Sequence, residues 1–337
     1  MAELTVVIPA YNEAAALPAL LADLRAQQGV ALQVIVADGG SSDGTPVLAS
    51  HAGAQVVLAP RGRGAQMNAG ARAARAGHLL FLHADSRLES PGQLRDALAA
   101  TTHAGAHAAG HWALRFALTR SGRERFFRHL EAKTALNRPG TVNGDQGLLI
   151  GAGFLRELGG FDERLTFLED QRLAGKIFAA GRFILLPGRL TTSARRFERE
   201  GAARRYTLMA MIMGLHAAGA DEYFAGAPGV YATQDATGRL RLGPHLAHAR
   251  RVLRQAGWRR ALQIVWRAGR YTRQNSWQLF FCGDVALGRE QRPLLRFHDR
   301  FFRPVTDNIV FDALAAALVA LWFLLVLPVV YRIADRD

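Results

Sequence analysis

The chain has one cysteine, Cys282, among its 337 residues. A single cysteine excludes an internal disulfide framework and any metal cluster built on thiolates within one chain. Lysine is almost as scarce, since Lys133 and Lys176 are the only two, so arginine supplies nearly all of the basic charge. The formal net charge is +14, which favours anionic partners such as a nucleotide diphosphate or lipid head groups. No nucleic-acid-binding motif accompanies this charge.

The N-terminal residues also lack a basic segment followed by an apolar stretch. The first apolar, β-branched run starts at Leu4, so we expect no cleavable signal peptide. We therefore expect the N-terminal region to stay in the cytoplasm. A length of 337 residues accommodates one large domain or two small ones.

The first part of the chain contains a regular alternation of strand and helix patterns. Strand patterns lie at Leu4–Ile8, Leu32–Ala37, Gln55–Leu58 and His78–Leu82, and helical patterns at Ala15–Ala26, Thr45–His51 and Ala65–Ala76. This alternation predicts an α/β fold with a mostly parallel sheet and helices on both faces. Farther along, the patterns predict strands over His107–Leu118 and Phe183–Leu186, the latter ending at Pro187-Gly188, and helices over Glu124–Leu136 and Asp170–Ala180.

Polar residues follow the first two strands, in the segments "VVIPAYNE" and "VADGGSSDGT". In an open parallel sheet, ligands bind outside the carboxyl ends of the strands. The residues that fall at this edge are Pro9, Tyr11, Glu13, Asp38 and Asp43. Their carboxylates suit the hydroxyls and the base edge of a nucleotide, although Asp43 more readily caps the following helix.

The two segments, taken with five others, resemble family 2 glycosyltransferases, which are inverting nucleotide-sugar enzymes of GT-A (Rossmann-like) fold. The other five are "RGRGAQMNAGA" at 61–71, "LLFLHADSRL" at 79–88, "GDQGLLI" at 144–150, "GGFDERLTFLED" at 159–170 and "TTSARRFEREG" at 191–201. Their order and spacing most resemble the subgroup labelled arsenosugar-biosynthesis glycosyltransferases. The resemblance covers about residues 4–201 and implies sugar transfer from a nucleotide-sugar donor to a hydroxyl or phosphate acceptor.

The resemblance implies a donor site around the diphosphate. The family's Asp-X-Asp motif is here His83-Ala-Asp85, which leaves Asp85 as the ligand for Mg²⁺ or Mn²⁺. His83 is open to three interpretations: metal ligand, phosphate contact or packing residue. Asp38 is expected to recognise the base, with Tyr11 and Glu13 flanking the nucleoside. The glycine-rich loop before a helix suits a close approach to the donor, and its candidate contacts are Arg61, Arg63, Gln66 and Asn68.

The resemblance also implies a base and an acceptor site. Asp170 is expected to remove the acceptor's proton, with Glu169 orienting the acceptor or a neighbouring backbone group; an acidic pair that complements a helix dipole is the competing interpretation. Asp145 and Gln146 are candidates for contacts with sugar hydroxyls. Arg195 and Arg196 either bind the diphosphate through paired donors or form structural ion pairs.

The character of the chain changes after about residue 200. Leu208–Ala220 is apolar but too short to span a bilayer, and residues 246–281 mix arginines with tryptophans, as at a membrane surface or on an ordinary solvated helix. Residues 313–331 contain no charge and predict a transmembrane helix, with the arginine-rich N-terminal side in the cytoplasm. A buried C-terminal helix is the other interpretation.

These patterns predict three regions: a catalytic domain at 1–201, a helical, basic, membrane-surface region at 202–307 and a transmembrane helix at 308–333. The expected location is the cytoplasmic membrane, and the expected acceptor is a lipid such as a polyprenyl phosphate. Two other functions stay open at this stage. One is a nucleotidyltransferase on a similar fold, although the loop after the first strand has no basic residue. The other is a membrane-tethered protein that binds nucleotide sugars without turnover.

Overall fold

The computed structural model describes residues 2–120, 122–165, 167–226 and 238–334. The chain divides into two compact units, Met1–Ser193 and Ala194–Asp337. The division into three regions that the sequence predicts remains a prediction.

The first unit holds one eight-stranded sheet flanked by helices. The strands are β1 (Leu4–Ala10), β2 (Leu32–Asp38), β3 (Gln55–Leu58), β4 (His78–Phe81), β5 (Arg87–Leu88), β6 (Ala108–Ala117), β7 (Leu148–Gly151) and β8 (Arg182–Ser193). The helices are α1 (Leu17–Arg25), α2 (Thr45–His51), α3 (Arg63–Arg72), α4 (Gln93–Ala104), α5 (Glu124–Thr134), α6 (Ala152–Glu157) and α7 (Glu169–Ala180). The order across the sheet is β3-β2-β1-β4-β7-β6-β8-β5.

The sheet is mixed, which corrects the mostly parallel sheet expected from the sequence. Strands β1 to β4 pair in parallel, as predicted. Strand β7, however, runs antiparallel to both β4 and β6, and β5 runs antiparallel to β8. Neither strand was predicted, because β5 has only two residues and β7 lies outside the strand–helix alternation that identified the equally short β3 and β4.

Side chains of β1 alternate between two buried faces of the sheet. Leu4, Val6 and Ile8 point into a cluster with residues of α1 and α4, and all three are fully buried. Val7 points the other way, into a cluster with residues of α3 and α7. A strand covered on both faces appears in the sequence as a continuous apolar run, and for this reason β1 was recognisable.

Strand β8 continues past Pro187-Gly188, where the sequence predicted an end. The pairing with β6 shifts register between His111 and Ala113, so residues around Pro187 bulge out of the ladder. A proline, which has no N–H to donate, is tolerated at such a bulge. The indole N–H of Trp112 donates to the carbonyl of Pro187 at 2.9 Å and fixes the bulge against the core.

The second unit is helical over the residues that the structure describes. Its α-helices are α8 (Arg195–Glu200), α9 (Ala202–Ala217), α10 (Asp221–Gly226), α11 (Leu242–Gln255), α12 (Gly257–Gln274), α13 (Trp277–Ala286), α14 (Pro293–Phe297), α15 (Arg303–Thr306), α16 (Ile309–Ala320) and α17 (Leu327–Ala334). Two π-helical segments, His298–Phe302 and Leu321–Val326, join α14 to α15 and α16 to α17.

The predicted span belongs to a longer helix that packs against α12. By length and composition, Ile309–Tyr331 is able to cross a bilayer, with a mean hydropathy of 2.7 and only 17% of its most apolar window buried. Asp312 lies inside this helix and accepts a hydrogen bond from the guanidinium of Arg273 on α12. The two backbones are close, since a Cβ on Gly269 would lie 2.4 Å from Cα of Ala316. The membrane span itself remains a prediction, and residues 335–337, including Arg336, lie outside the described residues.

Candidate functional site

Two loops meet at the carboxyl end of β1 and β2. Because Ala10 pairs with Asp38 in parallel register, residues 11–16 and 39–44 leave the sheet side by side. The backbone N–H of Asn12 donates to Oγ of Ser41 at 2.9 Å, and the N–H of Glu13 donates to Oγ1 of Thr45 at 2.9 Å. These bonds hold the predicted nucleoside-binding residues on one edge of the sheet, directly after the buried Pro9.

Asp43 and Asp38 both shape these loops. Asp43 accepts from the N–H of Ala14 and from the N–H of Thr45, as its expected capping role requires. Asp38 is 1% exposed and accepts from the N–H groups of Gly40 and Ser41 and from the Ser41 hydroxyl. Its carboxylate therefore maintains the turn, and its role in recognising a base stays a prediction.

Arg61 and Tyr11 form a stacked pair above this edge. The guanidinium carbon of Arg61 lies 4.0 Å from the centre of the Tyr11 ring, a cation–π geometry. Arg61 is exposed, while Tyr11 is partly buried. The structure thus brings together two of the predicted donor contacts, one aromatic and one cationic.

Gln66 and Asn68 on α3 have partners within the fold. The amide of Gln66, which is 3% exposed, donates to the carbonyls of Ala10 and Ala37 and ties together the ends of β1 and β2. The amide of Asn68 donates to the Phe161 carbonyl and accepts from the N–H of the same residue. Their contact with a donor stays a prediction, since both amides already bond within the first unit.

Asp170, the predicted base, lies in the first turn of α7. Its Oδ2 accepts from the backbone N–H of Gly144 at 2.7 Å, and its Oδ1 accepts from the N–H of Gln171 at 2.8 Å. A Cβ placed on Gly144 would lie 3.1 Å from Nε2 of His83 and 3.3 Å from Oδ2 of Asp170. The imidazole and the carboxylate therefore face the same small space beside Gly144.

His83 has a fixed orientation at the end of β4. Its Nδ1 lies 2.8 Å from Oδ1 of Asp145. Burial lowers the pKa of His83, but the hydrogen bond and the charge of Asp145 outweigh that effect, so the pKa is raised above the ordinary value. The charge of Asp85 adds to this effect, which indicates that Asp85 is nearby. Nδ1 is occupied by Asp145, so Nε2 is the nitrogen that faces Gly144.

Glu169 is buried beside Asp170 and pairs with Arg63. Its side chain is 1% exposed, and its Oε1 lies 2.9 Å from Nε of Arg63 at the start of α3. Its Oε2 has no hydrogen-bond partner among the described residues. Burial raises the pKa of Glu169, while the charge of Arg63 lowers it and that of Asp170 raises it, with a net upward shift. Leu168, the residue before, has a φ of 68°, a left-handed conformation that is uncommon for leucine.

The carboxylate of Asp85 is the candidate metal ligand of this site. In the described parts of the chain, no three His, Cys, Asp or Glu side chains are arranged to hold a metal. Mg²⁺ is often held by one or two carboxylates together with substrate phosphates. The residues present therefore fit an ion that arrives with a diphosphate and binds Asp85, rather than an ion held by the protein alone.

The remaining predicted residues differ in their surroundings. Asp145 is half exposed, whereas Gln146 is fully buried and donates to the Thr141 carbonyl at 2.6 Å. Arg195 opens α8 in the second unit, and Nε of Arg196 lies 3.3 Å from Oε1 of Glu200. The structural ion pair that was the competing interpretation thus exists for Arg196. Contacts of these four residues with substrate stay predictions.

Gly144 is a functional candidate that residue-type reasoning missed. It lines an open cleft together with His83, Glu169 and Asp170, and its backbone N–H holds the predicted base. Only its place in the segment Gly144-Asp-Gln could have drawn attention to it, since glycine offers no side-chain chemistry. Gly144 contributes a backbone N–H that donates a hydrogen bond, and because it has no Cβ it leaves space beside His83 and Asp170.

Sequence comparisons find similarity to known glycosyltransferases. The model of the family described as "Glycosyl transferase family 2" matches residues 5–147. Uncharacterized glycosyltransferases of Mycobacterium tuberculosis and Mycobacterium bovis are each 38% identical over 87 residues, which is 26% of this chain. The matched part spans 38% of the length of these relatives.

Comparison with solved structures finds chains that follow a similar path through space. S. aureus TarS 1-349 is 16% identical, with 95% of this chain and 91% of that chain covered and a TM-score of 0.49. The mannosyltransferase PcManGT from Pyrobaculum calidifontis, solved with GDP-Man and Mn²⁺, is 18% identical, with 95% and 87% covered and a TM-score of 0.48.

The arsenosugar subgroup is not among these findings, so that finer resemblance stays a prediction. The matched residues contain strands β1 to β4, the loops at their carboxyl ends and Gly144. Residues 5–147, which match the glycosyl transferase family 2 model, lie within an α/β unit that has a mixed sheet and flanking helices.

Proposed function

We propose that this chain is a metal-dependent, inverting glycosyltransferase that moves a sugar from a nucleotide-sugar donor to a hydroxyl or phosphate acceptor. The observation that carries the proposal is the position of Asp170. Two backbone N–H groups hold its carboxylate at the rim of a cleft that also contains His83 and Glu169. A carboxylate fixed in this way is suited to accept a proton from a bound hydroxyl.

In the proposed reaction the acceptor oxygen attacks the anomeric carbon on the face opposite the leaving group. The new C–O bond forms as the bond to the diphosphate oxygen breaks, and the nucleoside diphosphate leaves with the bonding electrons. For a hydroxyl acceptor, Asp170 takes the proton. Positive character develops on the sugar ring, which the neighbouring carboxylates at 169 and 170 help to stabilise.

On the donor side, the proposal uses residues at the carboxyl edge of the sheet. The Arg61–Tyr11 stack provides an aromatic face and a cation next to the loops of β1 and β2. Glu13 and Asp38 lie on the same edge, where ribose hydroxyls and a base edge would need acceptors. Arg63, 43% exposed, can reach a phosphate while it still pairs with Glu169.

Asp85 would hold Mg²⁺ or Mn²⁺, which when bound neutralises the charge that develops on the leaving diphosphate. His83 replaces the first carboxylate of the family's motif, and the bond from its Nδ1 to Asp145 orients the ring. We place its role in contact with a phosphate or with the acceptor, because Nε2 faces the space beside Asp170.

We further propose that the acceptor is associated with a membrane, for example a polyprenyl phosphate or another lipid. The support is the apolar helix Ile309–Tyr331, together with the basic region that precedes it. The catalytic unit would then lie on the cytoplasmic side of the membrane. Removing residues 308–337 and assaying both soluble and lipid acceptors in detergent tests this: full activity toward a soluble acceptor, with none toward any lipid, would overturn it.

The test of the reaction is a screen of common nucleotide sugars for thermal stabilisation of the full chain in the presence of Mg²⁺ or Mn²⁺. The best donor is then assayed for released products. We expect release of a nucleoside diphosphate that stops when a chelator is added. Release of pyrophosphate would indicate a nucleotidyltransferase instead. Tight donor binding with no turnover on a broad acceptor panel would indicate a binding protein, and turnover that a chelator leaves unchanged would exclude the metal.

A further inference from the structure

The helix that precedes the apolar C-terminal segment has three faces of different chemistry. It runs through α14, the π-helical segment His298–Phe302 and α15, over residues 293–306. Its buried face consists of Leu295, His298, Phe302 and Thr306, its exposed apolar face of Phe297, Phe301 and Val305, and its exposed basic face of Arg296, Arg300 and Arg303.

The buried face fixes the orientation of this helix against α13. The carboxylate of Asp284 accepts from the backbone N–H groups of Leu294 at 3.0 Å and Leu295 at 2.8 Å, and so caps the start of the helix. The Phe280 ring lies 5.1 Å from the ring of His298 and 5.0 Å from that of Phe302. This side faces α13, and of the exposed apolar residues Phe297 also reaches the edge of α13, with its ring centre 6.2 Å from that of Phe280.

The exposed apolar face is a continuous row. Phe297, Phe301 and Val305 are 51%, 54% and 67% exposed and follow one another at a spacing of four residues. The row leads along the chain into Ile309 and Val310, which are 71% and 62% exposed. Single exposed apolar residues are normal on protein surfaces, but a contiguous row of large ones marks an interaction surface.

The basic face beside this row is available for anions. Arg296, Arg300 and Arg303 form no ion pair with any residue that the structure describes. The guanidinium carbon of Arg300 lies 5.5 Å from the centre of the Phe301 ring, so charge and aromatic surface are adjacent. The surroundings share this sign, since residues 194–337 contain 22 arginines and 12 acidic residues.

We propose that residues 293–306 form an in-plane docking helix for an anionic bilayer. Phe297, Phe301 and Val305 would enter the boundary between head groups and acyl chains, while Arg296, Arg300 and Arg303 bind anionic head groups. Charge favours a lipid surface over a second copy of the chain, because two such faces packed together would oppose their arginines. The proposal concerns this surface alone and requires neither turnover nor a bound donor.

The test places an environment-sensitive fluorophore on the row in the full-length chain. In a Cys282→Ser background, Val305→Cys provides the labelling site and keeps both phenylalanines. Leu58→Cys, a 78% exposed apolar position on β3, provides the matched control site. Both proteins are reconstituted with vesicles of phosphatidylcholine alone or mixed with phosphatidylglycerol. We expect a blue shift and quenching by shallow lipid-bound quenchers at 305 in anionic vesicles, and no change at 58.

A second pair of variants tests the charge. Arg296→Gln with Arg300→Gln should raise the amount of anionic lipid needed for the shift on the order of tenfold. Arg25→Gln with Arg156→Gln, two exposed arginines of the first unit, should leave it nearly unchanged. A probe at 305 that stays in water, or equal shifts in neutral and anionic vesicles, would overturn the proposal. So would shielding at 305 that grows with protein concentration without lipid, which would identify a second copy as the partner.

Discussion

Nε of Arg63 lies 2.9 Å from Oε1 of Glu169, and this contact links the first turn of α3 to the first turn of α7. The two partners differ in exposure, since Arg63 is 43% exposed and Glu169 only 1%. A buried carboxylate stays ionised only if a partner offsets the loss of hydration. Arg63 therefore controls the charge next to Asp170 from a position that solvent and a donor can both reach.

Replacing Arg63 should shift the pH dependence of transfer. In Arg63→Met the buried Glu169 loses its cation, so its already raised pKa rises further and the carboxylate is protonated up to a higher pH. We expect transfer to fall by about tenfold or more where Glu169 is protonated and to recover as the pH rises through the new pKa. Measured pH–rate profiles test this. The rate of transfer by Glu169→Gln should be low at every pH. Arg72→Met is the control, because its partner Glu163 is exposed, and its pH–rate profile should match that of the unaltered protein.

Gly144→Ala should slow transfer without unfolding the chain. The added methyl group would lie 3.1 Å from Nε2 of His83 and 3.3 Å from Oδ2 of Asp170, in the space where we place the acceptor oxygen. We expect kcat to fall by about tenfold or more, because small displacements of reacting groups are costly. Gly175→Ala, in the middle of α7 with open space around it, is the control and should be active. Equal rates for both variants would contradict an acceptor site beside Gly144.

Asp170→Asn should abolish transfer while leaving donor affinity nearly intact. A general base contributes about 10²–10⁴-fold to the rate and little to the binding of the nucleotide. Turnover measured beside donor binding by calorimetry separates the two effects. Asp96→Asn makes the same change on the surface of α4 and should have no effect. Near-normal turnover in Asp170→Asn would direct attention to Glu169 or Asp145.

Asp85→Ala should weaken binding of the donor rather than removal of the acceptor's proton. If Asp85 holds the metal that accompanies the diphosphate, the variant should lose metal-dependent donor binding and keep the weaker binding seen without metal. Donor titrations with and without Mn²⁺ measure this. An unchanged metal effect on donor affinity would show that the ion binds elsewhere.

Lys133→Met should stabilise the protein at neutral pH. Burial lowers the pKa of Lys133 to about 8, compared with 10.5 for a hydrated lysine. Below about pH 8 Lys133 is protonated in both the folded and the unfolded chain, so burial of its charge lowers the free energy of unfolding. Between about pH 8 and 10.5 the folded chain has lost this proton while the unfolded chain still binds it, so the free energy of unfolding rises with pH. We expect the variant to gain about 1–3 kcal/mol at pH 7. The gain should shrink as the pH approaches 10.5, which denaturant unfolding at several pH values can check.

The sequence determined those features that depend on local pattern. Four apolar runs separated by helical patterns identify β1 to β4, and the run is clearest for β1, since a strand buried on both faces leaves a continuous apolar segment. The polar residues that follow these runs identify the ligand edge, since parallel strands end on the same side. Composition likewise shows the uncharged apolar segment at 313–331 and the basic region before it.

Only the tertiary structure decided which side chains meet. The contact of Arg63 with Glu169 joins residues about a hundred positions apart, and the bond from Gly144 to Asp170 depends on a loop whose course no period reveals. It also decided that Gln66 links two strands and that Asp312 in the predicted span pairs with Arg273 on α12. Local patterns report burial and backbone preference, whereas long-range contacts follow from how the sheet and its helices pack.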